Sequence, residues 1–112
     1  MKSYNIYLAA PYEGRNEEEF NEYIQNEITK LKYLFSNYEI TVIPRTKDRG
    51  YKKAVHNCDI CALGEGWVYI PECEDIRKFA VSEGKPIVIT DTEYTKSFIR
   101  DYIIGKADKN RV

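Results

Sequence analysis

Residues 58–75 read CDICALGEGWVYIPECED, and this stretch decides the fold that the sequence predicts. Its first six residues form a largely apolar run of strand length, and its last five begin an amphipathic helix. Pro71 suits the first position of a helix, where the acidic residues that follow it favour the positive end of the helix dipole. The stretch therefore predicts a buried strand, a loop with an aromatic pair, and a helix.

The same alternation of strand and helix extends in both directions along the chain. Apolar and β-branched runs predict further strands at residues 5–10, 39–43 and 86–90. Asn16 with Glu19 predicts a capped helix that runs to about residue 36, and a short helix is expected over residues 51–57. A last helix, capped by Asp91 or Thr92, is expected to carry Phe98, Ile99, Tyr102 and Ile103.

Strict alternation favours parallel strands joined by right-handed crossovers. Short apolar strands also suit a sheet that is covered on both faces. The sequence therefore predicts a three-layer α/β domain of the flavodoxin-like type. Its parallel sheet is expected to have four to five strands, in the order 2-1-3-4(-5). One domain is expected over residues 1–105, with a loose polar tail or an oligomer contact at 106–112.

Composition excludes several classes of function for this chain of 112 residues. Its 17 basic and 18 acidic residues nearly cancel, which gives no field to attract nucleic acid or a membrane surface. No apolar run has the roughly 20 residues that span a bilayer, and no signal-peptide pattern opens the chain. We therefore expect no nucleic-acid partner, no membrane and a cytoplasmic location.

The three cysteines are an odd number, which argues against a disulfide framework. Cys58 and Cys61 lie three apart in a predicted strand, so their side chains are expected on opposite faces, where they cannot chelate one metal easily. His56 and Cys73 complete no zinc pattern. We expect three buried, inert thiols, no metal and no cofactor.

A binding crevice is expected at the carboxyl ends of strands one and three, where the strand order reverses. A carboxylate at the start of an apolar strand is costly to bury without a partner, so Asp59 either binds a ligand or caps a neighbouring backbone group, and the functional role is favoured. Tyr7 could reach a ligand or be an ordinary strand aromatic. Trp67 and Tyr69 could stack on a base or cover the sheet edge. The predicted lining is Tyr7, Ala9, Ala10, Pro11, Asp59, Gly64, Trp67 and Tyr69.

Two other sets of charged residues can be explained by structure or solvation alone, without a functional role. Glu72, Glu74 and Asp75 are explained equally well as helix N-terminal carboxylates. Six loop cations could receive a phosphate, but such a set is more often a solvated surface. They are Arg15, Arg45, Lys47, Arg49, Lys52 and Lys53.

Together these segments resemble the nucleoside 2-deoxyribosyltransferase family and its small relatives, the nucleotide N-glycosidases. The resemblance runs from Asn5 to about Ile89. It rests on residues 5–7 (NIY), 57–60 (NCDI), 68–71 (VYIP) with the acidic residues after them, and 80–89 (AVSEGKPIVI). It implies that Tyr7 positions a catalytic carboxylate, that Asp59 holds the sugar hydroxyls and that Asp75 contacts the base.

The chain departs from this family at the catalytic position. The family's nucleophilic glutamate stands four residues before the alanine that corresponds to Ala80, and that position is Ile76 here. An isoleucine can neither attack C1′ of a deoxyribose nor stabilise an oxocarbenium ion. The sequence therefore favours a nucleoside- or nucleotide-binding protein with lost or altered catalysis.

Two alternatives stay open beside that prediction. One is an active N-glycosidase or deoxyribosyltransferase that uses Asp75, Glu74 or Glu72 as its carboxylate. Another is a protein-interaction module on the same fold. A homo-oligomer is expected in any case, because ten tyrosines are hard to bury in so small a core and exposed aromatic patches commonly mark interfaces.

Overall fold

The computed structural model describes residues 2–90 and 97–111. Within them, strands and helices alternate along the chain as predicted. The strands are β1 (Ser3–Ala9), β2 (Glu39–Pro44), β3 (Ile60–Leu63) and β4 (Ile87–Ile89). The helices are α1 (Glu17–Leu34), α2 (Lys52–Asn57), α3 (Pro71–Ser82) and α4 (Ser97–Asn110), with a 3₁₀ turn at Trp67–Tyr69.

The four strands form one parallel sheet in the order β2-β1-β3-β4. This confirms the predicted α/β class, the flavodoxin-like architecture and the 2-1-3-4 order. The chain moves from β1 to β2 on one side and then crosses to β3 on the other, so the order reverses between β1 and β3. Ligands of open α/β sheets bind outside the carboxyl ends of the strands at such a point.

Two apolar cores lie on the two faces of the sheet, because successive strand residues point to opposite faces. Leu8 packs with residues of α1 and α4, among them Leu31 and Ile104. Tyr7 and Ala9 lie in the other core, with residues of α2 and α3. The helices thus form the two outer layers of a doubly wound domain.

The predicted start of α1 is confirmed in detail. Asn16 accepts a hydrogen bond from the Glu19 N–H (2.8 Å), and the Glu19 carboxylate accepts one from the Asn16 N–H (3.0 Å). This capping box satisfies two backbone donors that a helix start otherwise leaves free. The predicted caps of the last helix, Asp91 and Thr92, lie outside the described residues.

The prediction of a loose tail after residue 105 is wrong, because α4 continues to Asn110. Ala107 is buried in the core, and Asp108 accepts hydrogen bonds from Tyr4 and Lys2. These contacts tie the end of the chain to the start of β1. No helix in the described part of the chain is long and apolar enough to cross a membrane.

Candidate functional site

The carboxyl edge of the sheet gathers five of the residues predicted to line the crevice. The Gly64 N–H donates to the Ala9 carbonyl (3.1 Å), which holds the ends of β1 and β3 together. Trp67 is half-buried in the loop after β3. The buried members of this group are Ala9, Ala10, Pro11 and Gly64.

Two further residues of the predicted lining, Tyr7 and Tyr69, differ in how far they are buried. Tyr7 is inside β1 and only 3% exposed. Burial raises the pKa of its phenol, the Arg45 cation opposes that rise, and the charge of Glu72 adds to it. The phenol is therefore protonated at neutral pH. Tyr69 is 84% exposed on the 3₁₀ turn, so its ring is free to contact a ligand or another protein.

The prediction that Asp59 lines this crevice is wrong. Asp59 immediately precedes β3, and its carboxylate accepts a hydrogen bond from the Asn5 N–H (2.8 Å) near the start of β1. It also binds the Arg111 guanidinium (2.8 and 3.1 Å). A residue that opens a parallel strand lies at the amino edge of the sheet, the opposite end from the crevice.

The helix face toward Tyr7 carries no carboxylate at the position where the resembled family has its nucleophile. Ile76, the residue that the resemblance aligns with that position, is fully buried in the same core as Tyr7. Asp75 is exposed, and Glu74 forms an ion pair with Arg77 on the helix surface. Of the three acidic candidates, Glu72 alone reaches the sheet edge, one helical turn before Ile76.

At that edge Glu72 accepts a hydrogen bond from Arg45, the residue that follows β2. Arg45 Nε donates to Glu72 Oε1 (2.7 Å), and the two Nη atoms bind both oxygens of Glu13 (2.9 and 2.7 Å). Nη1 also donates to the Ala10 carbonyl (3.2 Å), and the guanidinium stacks on the Tyr12 ring, 4.0 Å from its centroid. We call Glu13, Arg45 and Glu72 the carboxyl-edge cluster.

This cluster overturns the interpretation of Arg45 as one of six solvated cations. Arg45 is 2% exposed. Burial alone lowers the pKa of a guanidinium, but the hydrogen bonds to Glu13 and Glu72 outweigh it and raise the pKa. In return, hydrogen bonding to Arg45 lowers the pKa of Glu13. Both directions favour the charged forms of Arg45 and Glu13.

A cleft of about 480 Å³ opens beside the cluster, between the loop after β1 and the loop after β2. Two aromatic rings line it, Tyr12 and Phe20, which meet edge to face at 6.2 Å between centroids. Two cations line it as well, Arg15 and Lys47. The rest of the lining is polar: Asn16, Glu17, Asn21, Thr46 and Asp48.

The loop after β3 is fixed by two side chains of α1. Tyr23 donates its hydroxyl to the Glu65 carbonyl (2.8 Å), and Glu27 accepts from the Glu65 N–H (2.7 Å). A Cβ on Gly64 would lie 2.2 Å from the Tyr23 oxygen, so glycine is required for this close approach. These contacts hold the loop after β3 against α1.

Glu27 itself was not identified from the sequence, although it is a carboxylate only 1% exposed. Its Oε2 lies 3.3 Å from Lys30 Nζ, but no hydrogen bond from the described residues reaches that oxygen. The one available signal was an acidic residue within the apolar stripe of α1. Its role is to hold the Glu65 N–H, a structural rather than a chemical one.

The three cysteines are buried and unpaired, as predicted. The expectation that Cys58 and Cys61 face opposite ways is wrong, because Cys58 lies before β3 begins and both belong to the α2–α3 core. Burial raises the pKa of Cys73 to about 11, so this thiol stays protonated. Within residues 2–90 and 97–111, no group of His, Cys, Asp or Glu side chains is arranged to hold a metal ion.

Comparison with known protein families, curated proteins and solved structures gave no match to this chain.

Proposed function

We propose that this protein binds a nucleoside or nucleotide at the carboxyl edge of its sheet and leaves the glycosidic bond intact. The observation that carries the proposal is the occupation of the catalytic position. Ile76 is buried against Tyr7, and the carboxylate one turn earlier, Glu72, is engaged by Arg45. A carboxylate held in a short charge-assisted hydrogen bond is a poorer nucleophile than a free one.

The cleft beside the cluster supports the binding half of the proposal. Ligand sites are concave, with aromatic walls and a few placed polar groups. Tyr12 and Phe20 offer ring surfaces for a planar base, and Arg15 and Lys47 offer positive charge for a sugar phosphate. The cleft lies at the carboxyl edge of the sheet, on the β2 side of the point between β1 and β3 where the strand order reverses, and none of the eight residues of the predicted crevice lines it.

A thermal-shift panel of nucleosides and nucleotides tests binding, because a ligand of the native state raises stability whether or not it is turned over. Chromatography of the same mixtures for free base tests cleavage. We expect a rise in melting temperature with at least one nucleoside or nucleotide, and no free base. Release of base by the wild type would overturn the non-catalytic part of the proposal.

An active N-glycosidase is the second candidate, and one observation gives it a definite form. Glu72 is the acidic side chain of α3 that lies near Tyr7, so it would be the catalytic carboxylate. In that case Glu72→Gln abolishes base release, whereas Glu74→Gln, the matched control on the outer helix surface, retains it. Loss of activity in the control would point to damage to α3 rather than to chemistry.

We also propose that the protein is a homo-oligomer. Among the residues whose exposure the structure describes, three tyrosines are widely exposed: Tyr33, Tyr69 and Tyr102. Aromatic side chains are enriched at interfaces because they bury a large area at low entropic cost. Light scattering should give a mass above that of one chain, and a single-chain mass at high micromolar concentration would remove the proposal.

A further inference from the structure

The carboxyl-edge cluster contains a set of hydrogen-bond donors that can bind an oxyanion, and we call this site the slot. Three donors converge on the Glu13 carboxylate: Arg45 Nη1, Arg45 Nη2 and the Tyr12 N–H (2.9, 2.7 and 3.0 Å). The forked geometry of arginine matches carboxylate and phosphate equally well. The group that fills this slot in the structure is the protein's own side chain.

The ion pair in the slot is buried at one partner only, which distinguishes it from an ordinary buried ion pair. Arg45 is 2% exposed, whereas the side chain of Glu13 is 40% exposed. Glu13 also lies in the loop between β1 and α1, next to Gly14, whose φ of 78° only glycine adopts at low cost. The anion can therefore leave the slot into solvent, while the cation is enclosed by the fold.

Arg45 has enough other contacts to stay in place when Glu13 leaves. Three contacts of Arg45 do not involve Glu13. Nε donates to Glu72, Nη1 donates to the Ala10 carbonyl, and the guanidinium stacks on the Tyr12 ring. Tyr12 also lines the cleft, so a ligand in the cleft stands beside the slot. Lys47 lies over the same ring at 5.7 Å and adds positive charge there.

We infer that Arg45 is the receptor for the anionic group of the ligand, and that Glu13 is an internal occupant which this group displaces. The inference rests on the proposed function and specifies its ligand class: a base-bearing molecule with a phosphate monoester, rather than a neutral nucleoside. The exchange swaps one oxyanion for another on the same three donors, so no bond is made or broken.

Titration calorimetry with adenosine, deoxyadenosine and their 5′-monophosphates tests this exchange. Glu13→Gln and Glu13→Ala remove the competing charge, so both should bind the monophosphates about tenfold or more tightly than the wild type. Affinity for the neutral nucleosides should not change.

Glu18→Gln removes the same charge from an exposed α1 position and is the matched control. Arg45→Lys keeps the charge, cannot bind two oxygens in parallel, and should lose the preference for monophosphates.

The outcomes separate this inference from the proposed function. Equal affinity for nucleosides and monophosphates, unchanged by the Glu13 variants, overturns the inference and leaves nucleoside binding intact. Binding of inorganic phosphate that strengthens in Glu13→Ala, without binding of any nucleoside or nucleotide, supports the slot and overturns the proposed function. Arg45→Lys can fail to fold because Arg45 is buried, but the Glu13 variants change an exposed side chain and decide the question alone.

Discussion

Each edge of the sheet holds an arginine in an ion pair with a carboxylate, and the two edges differ in which partner is buried. At the carboxyl edge Arg45 is buried and its partners Glu13 and Glu72 are largely exposed. At the amino edge the order is reversed: Asp59 is the more buried partner, with 18% of its side chain exposed, and Arg111 is the more exposed one.

This reversal separates an exchangeable contact from a fixed one. Asp59 is held by a backbone donor of β1, the Asn5 N–H, as well as by Arg111, which also donates to the Ser3 carbonyl. A ligand anion cannot replace Asp59 without leaving a strand unsupported. Glu13 holds no strand in place. We therefore assign the amino edge to stability and the carboxyl edge to recognition.

The largest effect is expected from Arg45→Ala at the carboxyl edge. Removal of one partner of a buried ion pair is strongly destabilising because it strands the other charges and opens a cavity. Since both carboxylates here are partly solvated, we expect a loss of about 3 kcal/mol, at the low end of that range. Urea unfolding measures it, with Lys47→Ala as an exposed control. A loss no greater than that of the control would mean that Arg45 is dispensable to the fold.

A smaller loss is expected from Gly64→Ala, which tests the contact of the loop after β3 with α1. The added methyl group collides with the Tyr23 hydroxyl, and overpacking of this kind costs about 2 kcal/mol. Tyr23→Phe removes the colliding oxygen, so the double variant should recover part of the loss. Equal stability of Gly64→Ala and the wild type would show that Tyr23 does not rest on this loop.

Asp59→Asn at the amino edge should lower stability by about 1.5 kcal/mol, the lower end of the range for hydrogen bonds to a charged group, because the asparagine oxygen can still accept from the Asn5 N–H. Burial opposes ionisation of Asp59, but the hydrogen bonds from Arg111 and Asn5 outweigh it and lower the pKa of the carboxyl group. A lowered pKa means that this stabilisation is present above the unfolded value, near 3.9, and is lost as the pH falls through the folded value.

The measurement is unfolding free energy against pH for the wild type and Asp59→Asn. The two curves should be separated at neutral pH and approach each other as the pH falls below about 4, where the unfolded carboxyl is more than half protonated. Ligand affinity should be the same in both proteins. If Asp59→Asn loses ligand binding but keeps its stability, Asp59 belongs to the binding site.

Most of the fold could be predicted because its signals are local. The apolar runs, the Asn16–Glu19 capping box and Pro71 at the start of a helix each report on a few neighbouring residues. Their alternation predicts the parallel sheet, whereas the 2-1-3-4 order follows only when the fold is taken to be flavodoxin-like. The end of α4 was missed, since the polar sequence after Gly105 hides the contacts of Ala107 and Asp108 with β1.

The candidate site was harder to predict because its contacts join distant parts of the chain. Arg45 meets Glu13 and Glu72 across 32 and 27 residues, and no local pattern marks a loop arginine as buried. The error at Asp59 had another cause. A carboxylate in an apolar strand does need a partner, as expected, but a residue at the start of a parallel strand lies at the edge away from the crevice.

A titration of the ¹⁵N-labelled protein with deoxyadenosine 5′-monophosphate, followed by amide chemical shifts, tests the division between the two edges most directly. We predict shifts concentrated in residues 12–21 and 45–48, which line the cleft and the cluster, and unchanged amides at Asn5 and Asp59. Shifts centred on the amino edge, or no shifts at millimolar nucleotide, would contradict the account.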